Sequence, residues 1–273
     1  MRTFWEVWVG FLLLAVCAAG DFAARHQDPS NLLFLYDFSE GQTNPNATST
    51  SSGISGLGPI NFNSSVKDRL WRWDPSKQGV NFSSSRLGAD ELSALAVSNR
   101  TISSSCFSGT TLNATTYTFE MWYTNQYSTT TGGRSTVAML SPSILNKTES
   151  LYDCGTDPRV LRIYQDDASE YVQINVRVYS SERSRPECLA YDNLEAHPGV
   201  LQYLTFTWDA SSSSTTAWSQ TGRSPAAVAN RSLTDNGGHA WTIAPQWWTM
   251  SRLILGQPTW AGHIHMVALW KKV

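Results

Sequence analysis

The sequence predicts an all-β protein built as an antiparallel two-sheet β-sandwich. Three observations predict it. Short apolar runs recur along nearly the whole chain with the period of two that a sheet with a covered face demands. Polar, turn-rich segments separate them, among them Ser128–Gly133, Gln165–Ser169 and Ser211–Thr216. Many short strands with turn signals between them mean a sandwich or a barrel, and this length favours two sheets. No comparably clear helix pattern occurs, and ten of the 12 Trp lie beyond residue 20, which suits a thick core.

The first segment stands apart from that fold. Arg2 precedes an apolar run from Val7 to Ala19 that closes on the small residues Ala18, Ala19 and Gly20. This layout predicts a secretory signal peptide over residues 1–20, because the run falls short of the ~20 apolar residues a membrane span needs. No later segment supplies such a run, so no transmembrane segment is expected. Residues 21–273 are expected to form one domain, with no internal repeat or composition break to divide them.

Leu32 to Phe38 is the first strong strand, and the Gly/Asn/Ser/Thr-rich stretch from Gly41 to Leu57 reads as a surface loop. Short strands and turns are expected over 60–90 around Trp71, Trp73 and Phe82, and Leu92–Val97 fits a brief strand or a helical turn equally. Tyr117 to Tyr123 sets Tyr117, Phe119, Met121 and Tyr123 on one face and Thr118, Glu120 and Trp122 on the other. Ser135–Leu140 is a short apolar run. Val172–Tyr179 alternates cleanly as half of a strand pair over 160–179, and Leu201–Trp208 groups Leu204, Phe206 and Trp208.

The closing stretch is the most telling. Leu253–Gly256 reads as a buried strand, Trp260-Ala261-Gly262 as a turn, and His263–Trp270 as a second strand. Its alternation predicts Ile264, Met266, Ala268 and Trp270 on one apolar face. The other face starts at His263 and His265 and turns apolar at Val267 and Leu269.

Sequons point to the same compartment as the leader. Asn46, Asn63, Asn81, Asn99, Asn113, Asn146 and Asn230 each begin an Asn-X-Ser/Thr triplet, whereas Asn44 is followed by Pro45. A secreted, extracellular glycoprotein is expected. The net charge of −2 and the lack of a Lys/Arg cluster argue against nucleic acid as a partner. Cys106, Cys154 and Cys188 remain once Cys17 leaves with the leader. An odd number implies one bridge and one further thiol. Cys154–Cys188 is the favoured pair, since both are read in polar loops flanking 160–179; pairings through Cys106 stay open.

Several segments together resemble a known family. They are Leu35-Tyr36-Asp37-Phe38-Ser39-Glu40-Gly41, Tyr117-Thr118-Phe119-Glu120-Met121-Trp122, Tyr203-Leu204-Thr205-Phe206-Thr207-Trp208, and the closing Leu253–Gly256 and Trp260–Trp270. In order and spacing they resemble the laminin G-like branch of the concanavalin A-like lectin and glucanase jelly rolls, from about residue 32 to the end. The resemblance implies two curved antiparallel sheets, with ligands bound on the concave face or at rim loops. It also implies glycan or extracellular-protein partners, and calcium in some members. Such members tend to continue past the strand equivalent to 263–270, so the chain is either a minimal domain or the N-terminal part of a longer protein.

The chemistry-bearing residues favour a non-catalytic module. A glycosidase needs two converging carboxylates about 5–9 Å apart. The Glu-X-Asp-X-X-Glu run of hydrolases on this fold is missing, and Glu120 stands without a partner on its strand. It is expected to be a hydrogen-bonded or rim residue. His263 and His265 form His-X-His but lack a sequence-local third ligand, so they are expected at the wet end of a strand rather than on a metal. Asp153, Asp157, Asp166, Asp167 and Asp192 are read in loops without calcium-loop spacing, which leaves calcium to the resemblance alone. Trp247 and Trp248 adjoin a loop and cannot both face inward if extended, which makes them the candidate ligand-binding aromatics. The expected function is a binding or adhesion module for glycans or extracellular proteins. The alternatives are a carbohydrate-active enzyme with a loop-built site and a structural ectodomain.

Overall fold

The computed structural model describes residues 32–38, 60–62, 71–74, 76, 79–83, 96–98, 116–126, 135–142, 160–165, 171–178, 187–195, 197–209, 212–221, 227–234, 238–241, 251–256 and 260–270. At positions 97, 135, 171, 175, 177, 187, 188, 190–193, 195, 221 and 227–229 the description extends to the backbone only.

Among the described residues fifteen strands carry the fold. They are β1 (Leu32–Asp37), β2 (Ile60–Phe62), β3 (Trp71–Asp74), β4 (Gly79–Phe82), β5 (Ala96–Ser98), β6 (Tyr117–Asn125), β7 (Ser135–Ser141) and β8 (Leu161–Gln165). They continue as β9 (Tyr171–Val178), β10 (Glu187–Glu195), β11 (Leu201–Asp209), β12 (Ser214–Thr221), β13 (Ala227–Ser232), β14 (Arg252–Leu255) and β15 (Gly262–Trp270). No helix occurs among the described residues, and none of its segments is a helix long and apolar enough to cross a membrane.

Every pairing is antiparallel, and the strands form two sheets. The eight-stranded sheet runs β13-β12-β11-β6-β15-β4-β3, with β1 also paired to β15. The seven-stranded sheet runs β10-β9-β8-β7-β14-β5-β2. One continuous core joins them: Phe119, Met121, Leu204 and Phe206 from the first sheet, with Val137, Ile163, Ile174, Leu253 and Leu255 from the second. The expected all-β, antiparallel two-sheet sandwich is what the chain forms.

β15 is the hinge of the first sheet, and here the structure overturns the expected strand faces. Its first half pairs with β4 (Gly262↔Phe82 to Ile264↔Val80) and its second half with β1 (Met266↔Asp37 to Trp270↔Leu32). Along β6 the register moves from Ile264↔Tyr123 to Met266↔Trp122, so His265 is an extra residue, a β-bulge. One extra residue reverses every later side chain. Ile264, Val267 and Leu269 therefore point into the inter-sheet core, while Met266, Ala268 and Trp270 lie on the opposite face. The bulge is held on both sides: the His265 carbonyl accepts from the Phe38 N–H at 2.8 Å. A Cβ on Gly79 would sit 2.9 Å from the His265 ring, so only glycine permits this approach.

Other strands lay beyond reach of the periodicity. β12 overlaps the turn-rich Ser211–Thr216 at its start and shows no strand pattern beyond it, because its inward positions are the small Thr215, Ala217 and Ser219 rather than large apolar residues. β10 takes up Cys188, which pairs in register with Arg177 of β9. The expectation that Cys188 lies in a polar loop is thereby corrected. The ambiguous Leu92–Val97 resolves, over its described part, into strand β5.

Candidate functional site

The face of the first sheet that points away from the core is built from strict alternation on three neighbouring strands. β6 turns Thr118, Glu120, Trp122 and Thr124 outward, opposite the core residues Phe119, Met121 and Tyr123. β11 turns Leu201, Tyr203, Thr205, Thr207 and Asp209 outward, and β12 turns Ser214, Thr216, Trp218 and Gln220 outward. Threonines and aromatics suit such a half-covered pleated surface.

Cross-strand register then brings the aromatics together. Tyr203 lies opposite Trp122, and Trp218 lies diagonally beyond it, opposite Thr205. The Trp122 and Tyr203 rings are 4.7 Å apart at 34°, and Tyr203 and Trp218 are 5.4 Å apart and edge-on at 76°. All three rings are partly exposed. They form an oblique aromatic row across β6, β11 and β12, with Thr205 and Thr207 beside it.

Glu120 fixes the middle of that row. The Tyr203 hydroxyl donates to Oε1 at 2.7 Å, and the Trp270 indole N–H donates to Oε2 at 3.0 Å. With the residue only 2% exposed, this is a buried carboxyl group whose two oxygens each meet a donor. The expected hydrogen-bonded role is the one observed. Both oxygens are engaged inside the sheet face, which is a positioning geometry rather than that of an acid aimed at a bond. The rest of the row is tied by the Thr118–Thr207 hydroxyl pair at 3.3 Å and by Asp209, which accepts from Thr116 at 3.0 Å and from Ser212 at the β11–β12 turn.

The histidines lie across the same sheet, and the expectation that they sit in water is overturned. His263 is fully buried and His265 nearly so. His263 Nε2 lies 3.1 Å from Asp74 Oδ2 of β3, His265 Nε2 lies 3.0 Å from Thr124 Oγ1, and the two rings stack at 6.2 Å. The bulge carries His265 under Gly79, which removes it from solvent. Among the described residues no group of three His, Cys, Asp or Glu side chains is arranged to hold a metal ion.

The remaining candidate residues divide by where they fall. Trp247 and Trp248, Cys154, and the sequons at Asn46, Asn63, Asn99, Asn113 and Asn146 lie outside the described residues. So do Asp153, Asp157, Asp166 and Asp167, together with the side chains of Asp192 and Cys188. Two sequons are described. Asn81 is only 8% exposed, on β4 between Arg72 and His263, where a folded sheet leaves no room for a glycan. Asn230 is exposed on β13.

Sequence reasoning missed the aromatic row. Trp122 is visible beside Glu120, but Tyr203 stands out only as part of an apolar strand, and Trp218 lies just past the turn-rich Ser211–Thr216, in a stretch given no strand. The signal that would have found it is the outward set Tyr203, Thr205, Thr207 of β11 laid in register against Trp218.

No family model matches the chain, and no curated protein matches it in sequence. Several solved structures do match. One is the botulinum neurotoxin serotype D binding domain, at a TM-score of 0.47 and 8% identity over 89% of this chain; the chain spans about half, 48%, of that one. The exoplasmic/lumenal domain of VIP36 in its metal-free form gives a TM-score of 0.46 at 8% identity, covering 91% of this chain and 94% of that one. The endo-1,3-beta-glucanase from Streptomyces sioyaensis gives a TM-score of 0.44 at 12% identity, covering 89% and 98%.

Proposed function

We propose that this chain is a secreted, non-catalytic glycan-binding module whose ligand lies across the outward face of β6, β11 and β12. The observation that carries the reading is the aromatic row Trp122–Tyr203–Trp218, partly exposed, with Tyr203 held by a buried carboxyl group. Rigid aromatic faces offer large contact area at low entropic cost, and the C–H faces of sugar rings fit against them. The flanking Thr118, Thr205, Thr207 and Gln220 supply hydroxyl and amide groups for a polyhydroxylated ligand. Among the described outward positions of these three strands the charged groups are Glu120 and Asp209, with no Lys or Arg. That charge favours neutral glycans over sulfated or sialylated ones. The leader and the sequons support the secreted setting.

The test is a glycan array with the intact protein, followed by titration of any hit against Trp218→Ala and Trp122→Ala. Each substitution should weaken binding by about 2 kcal/mol or more, roughly thirtyfold in Kd, if its ring anchors the ligand. A blank array over neutral and anionic glycans would refute the reading. Release of reducing ends from a polysaccharide would replace it with catalysis.

A further inference from the structure

The two exposed features of the first sheet, one sequon and one aromatic row, sit on the same face and side by side. Asn230 of β13 is in register with Thr216 of β12, and Trp218 lies two residues along on the same side of the strand. Thr216 and Trp218 are partly exposed while Thr215, Ala217 and Ser219 between and beside them are buried. Residues directly opposite in a ladder share a face, so the exposed Asn230 side chain stands on the face that carries Trp218, as its diagonal neighbour at about 7–8 Å between backbones. β13 is the edge of its sheet. No further strand of that sheet stands between Asn230 and solvent.

We infer that Asn230, within Asn230-Arg231-Ser232, carries an N-linked glycan whose proximal sugars lie over Trp218 and compete with soluble ligand for the end of the aromatic row. The modification forms a bond between Asn230 Nδ2 and the anomeric carbon of an oligosaccharide donated by a lipid-linked pyrophosphate. The sugar–pyrophosphate bond breaks, the lipid pyrophosphate leaves, and the amide proton passes to the transferase. This assignment rests on the glycan-binding reading for its functional consequence, and on register alone for its geometry.

A tethered sugar one strand away acts at an effective concentration in the millimolar range. Against a soluble glycan of comparable dissociation constant, self-occupancy weakens apparent binding by about twofold and removing the tethered glycan restores it. The contrast with Asn81 is internal to the same sheet: that sequon is buried and is expected to stay unmodified.

The experiment expresses the full chain in a eukaryotic secretory host and maps occupancy by glycopeptide mass spectrometry. The folded glycoprotein is then compared with the same sample after enzymatic deglycosylation, and with Asn230→Gln. Acrylamide quenching of the Trp218 emission, isolated as the difference from Trp218→Phe, is the direct readout. Occupancy at Asn230 with a rise in quenching of about twofold on removal supports the assignment. An unmodified Asn230, or an occupied one whose removal leaves Trp218 quenching unchanged, overturns it. Deglycosylation of the folded protein gives the answer even if the substitution impairs secretion. A rise in quenching with a blank glycan array in both forms leaves this assignment standing and removes the glycan-binding reading instead.

Discussion

Substituting Glu120 tests whether the aromatic row is held by its carboxylate. The side chain is buried and receives the Tyr203 hydroxyl at 2.7 Å and the Trp270 indole N–H at 3.0 Å. In Glu120→Ala the buried Trp270 indole N–H and the partly exposed Tyr203 hydroxyl lose this acceptor, and a buried donor left without it costs about 1–3 kcal/mol, while water can reach the hydroxyl. The net loss should be about 1–3 kcal/mol. For a domain of this size the melting temperature should fall by roughly 2–10 °C. Glu120→Gln keeps one carbonyl oxygen and should lose about 0.5–1.5 kcal/mol. Tyr203→Phe removes one donor, and its combination with Glu120→Gln should show a coupling of about 0.5–3 kcal/mol in a double-mutant cycle. Urea unfolding followed by Trp emission measures all four, and near-UV circular dichroism reports the Trp122–Tyr203–Trp218 rings in the native state. A Glu120→Ala protein within about 0.5 kcal/mol of the parent, the range of ordinary surface substitutions, would refute the argument.

Further expectations follow from single residues. Gly256 has φ of +65° and a Cβ there would lie 2.6 Å from the Phe82 ring, so Gly256→Ala should cost about 2–5 kcal/mol by urea titration. The Tyr123 hydroxyl is fully buried and meets no hydrogen-bond partner among the described residues, so Tyr123→Phe should stabilise the fold by about 1 kcal/mol; a loss of stability of that size would refute this. Burial pushes the pKa of Tyr36 and of Tyr123 well above the ordinary tyrosine range. The unfolded chain then releases these protons first as pH climbs past about 10, so stability should be level below that point and fall above it by about 2.7 kcal/mol per pH unit. Tyr123→Phe should halve that alkaline slope, measured as urea midpoint against pH. Glycopeptide mapping should find Asn81 unmodified, and a glycan there would require β4 to leave its sheet.

What the sequence made legible depended on where large apolar residues stood. β6, β9 and β11 alternate without interruption, and their inward sets, such as Leu204, Phe206 and Trp208, are the ones the core uses. β12 escaped because a strand can fill its inward positions with Thr215, Ala217 and Ser219 when the neighbour's Phe206 and Trp208 supply the bulk. The faces of β15 were reversed beyond His265, since a single inserted residue leaves no trace in composition yet inverts everything after it. Glu120 was readable as a bonded residue, because an isolated carboxylate on a strand must find donors. The row it anchors was not readable, since Trp122, Tyr203 and Trp218 come from three strands and meet only through register.

The shared strand at residues 262–270 has a consequence for biosynthesis. It borders β6 on one side and both β4 and β1 on the other, yet among the described residues it is the last strand in chain order. Until it leaves the ribosome, β1 waits for the one partner the described sheet gives it and β6 lacks that flank. Pairings that join the two ends of a chain carry a high loop-closure cost, which slows folding.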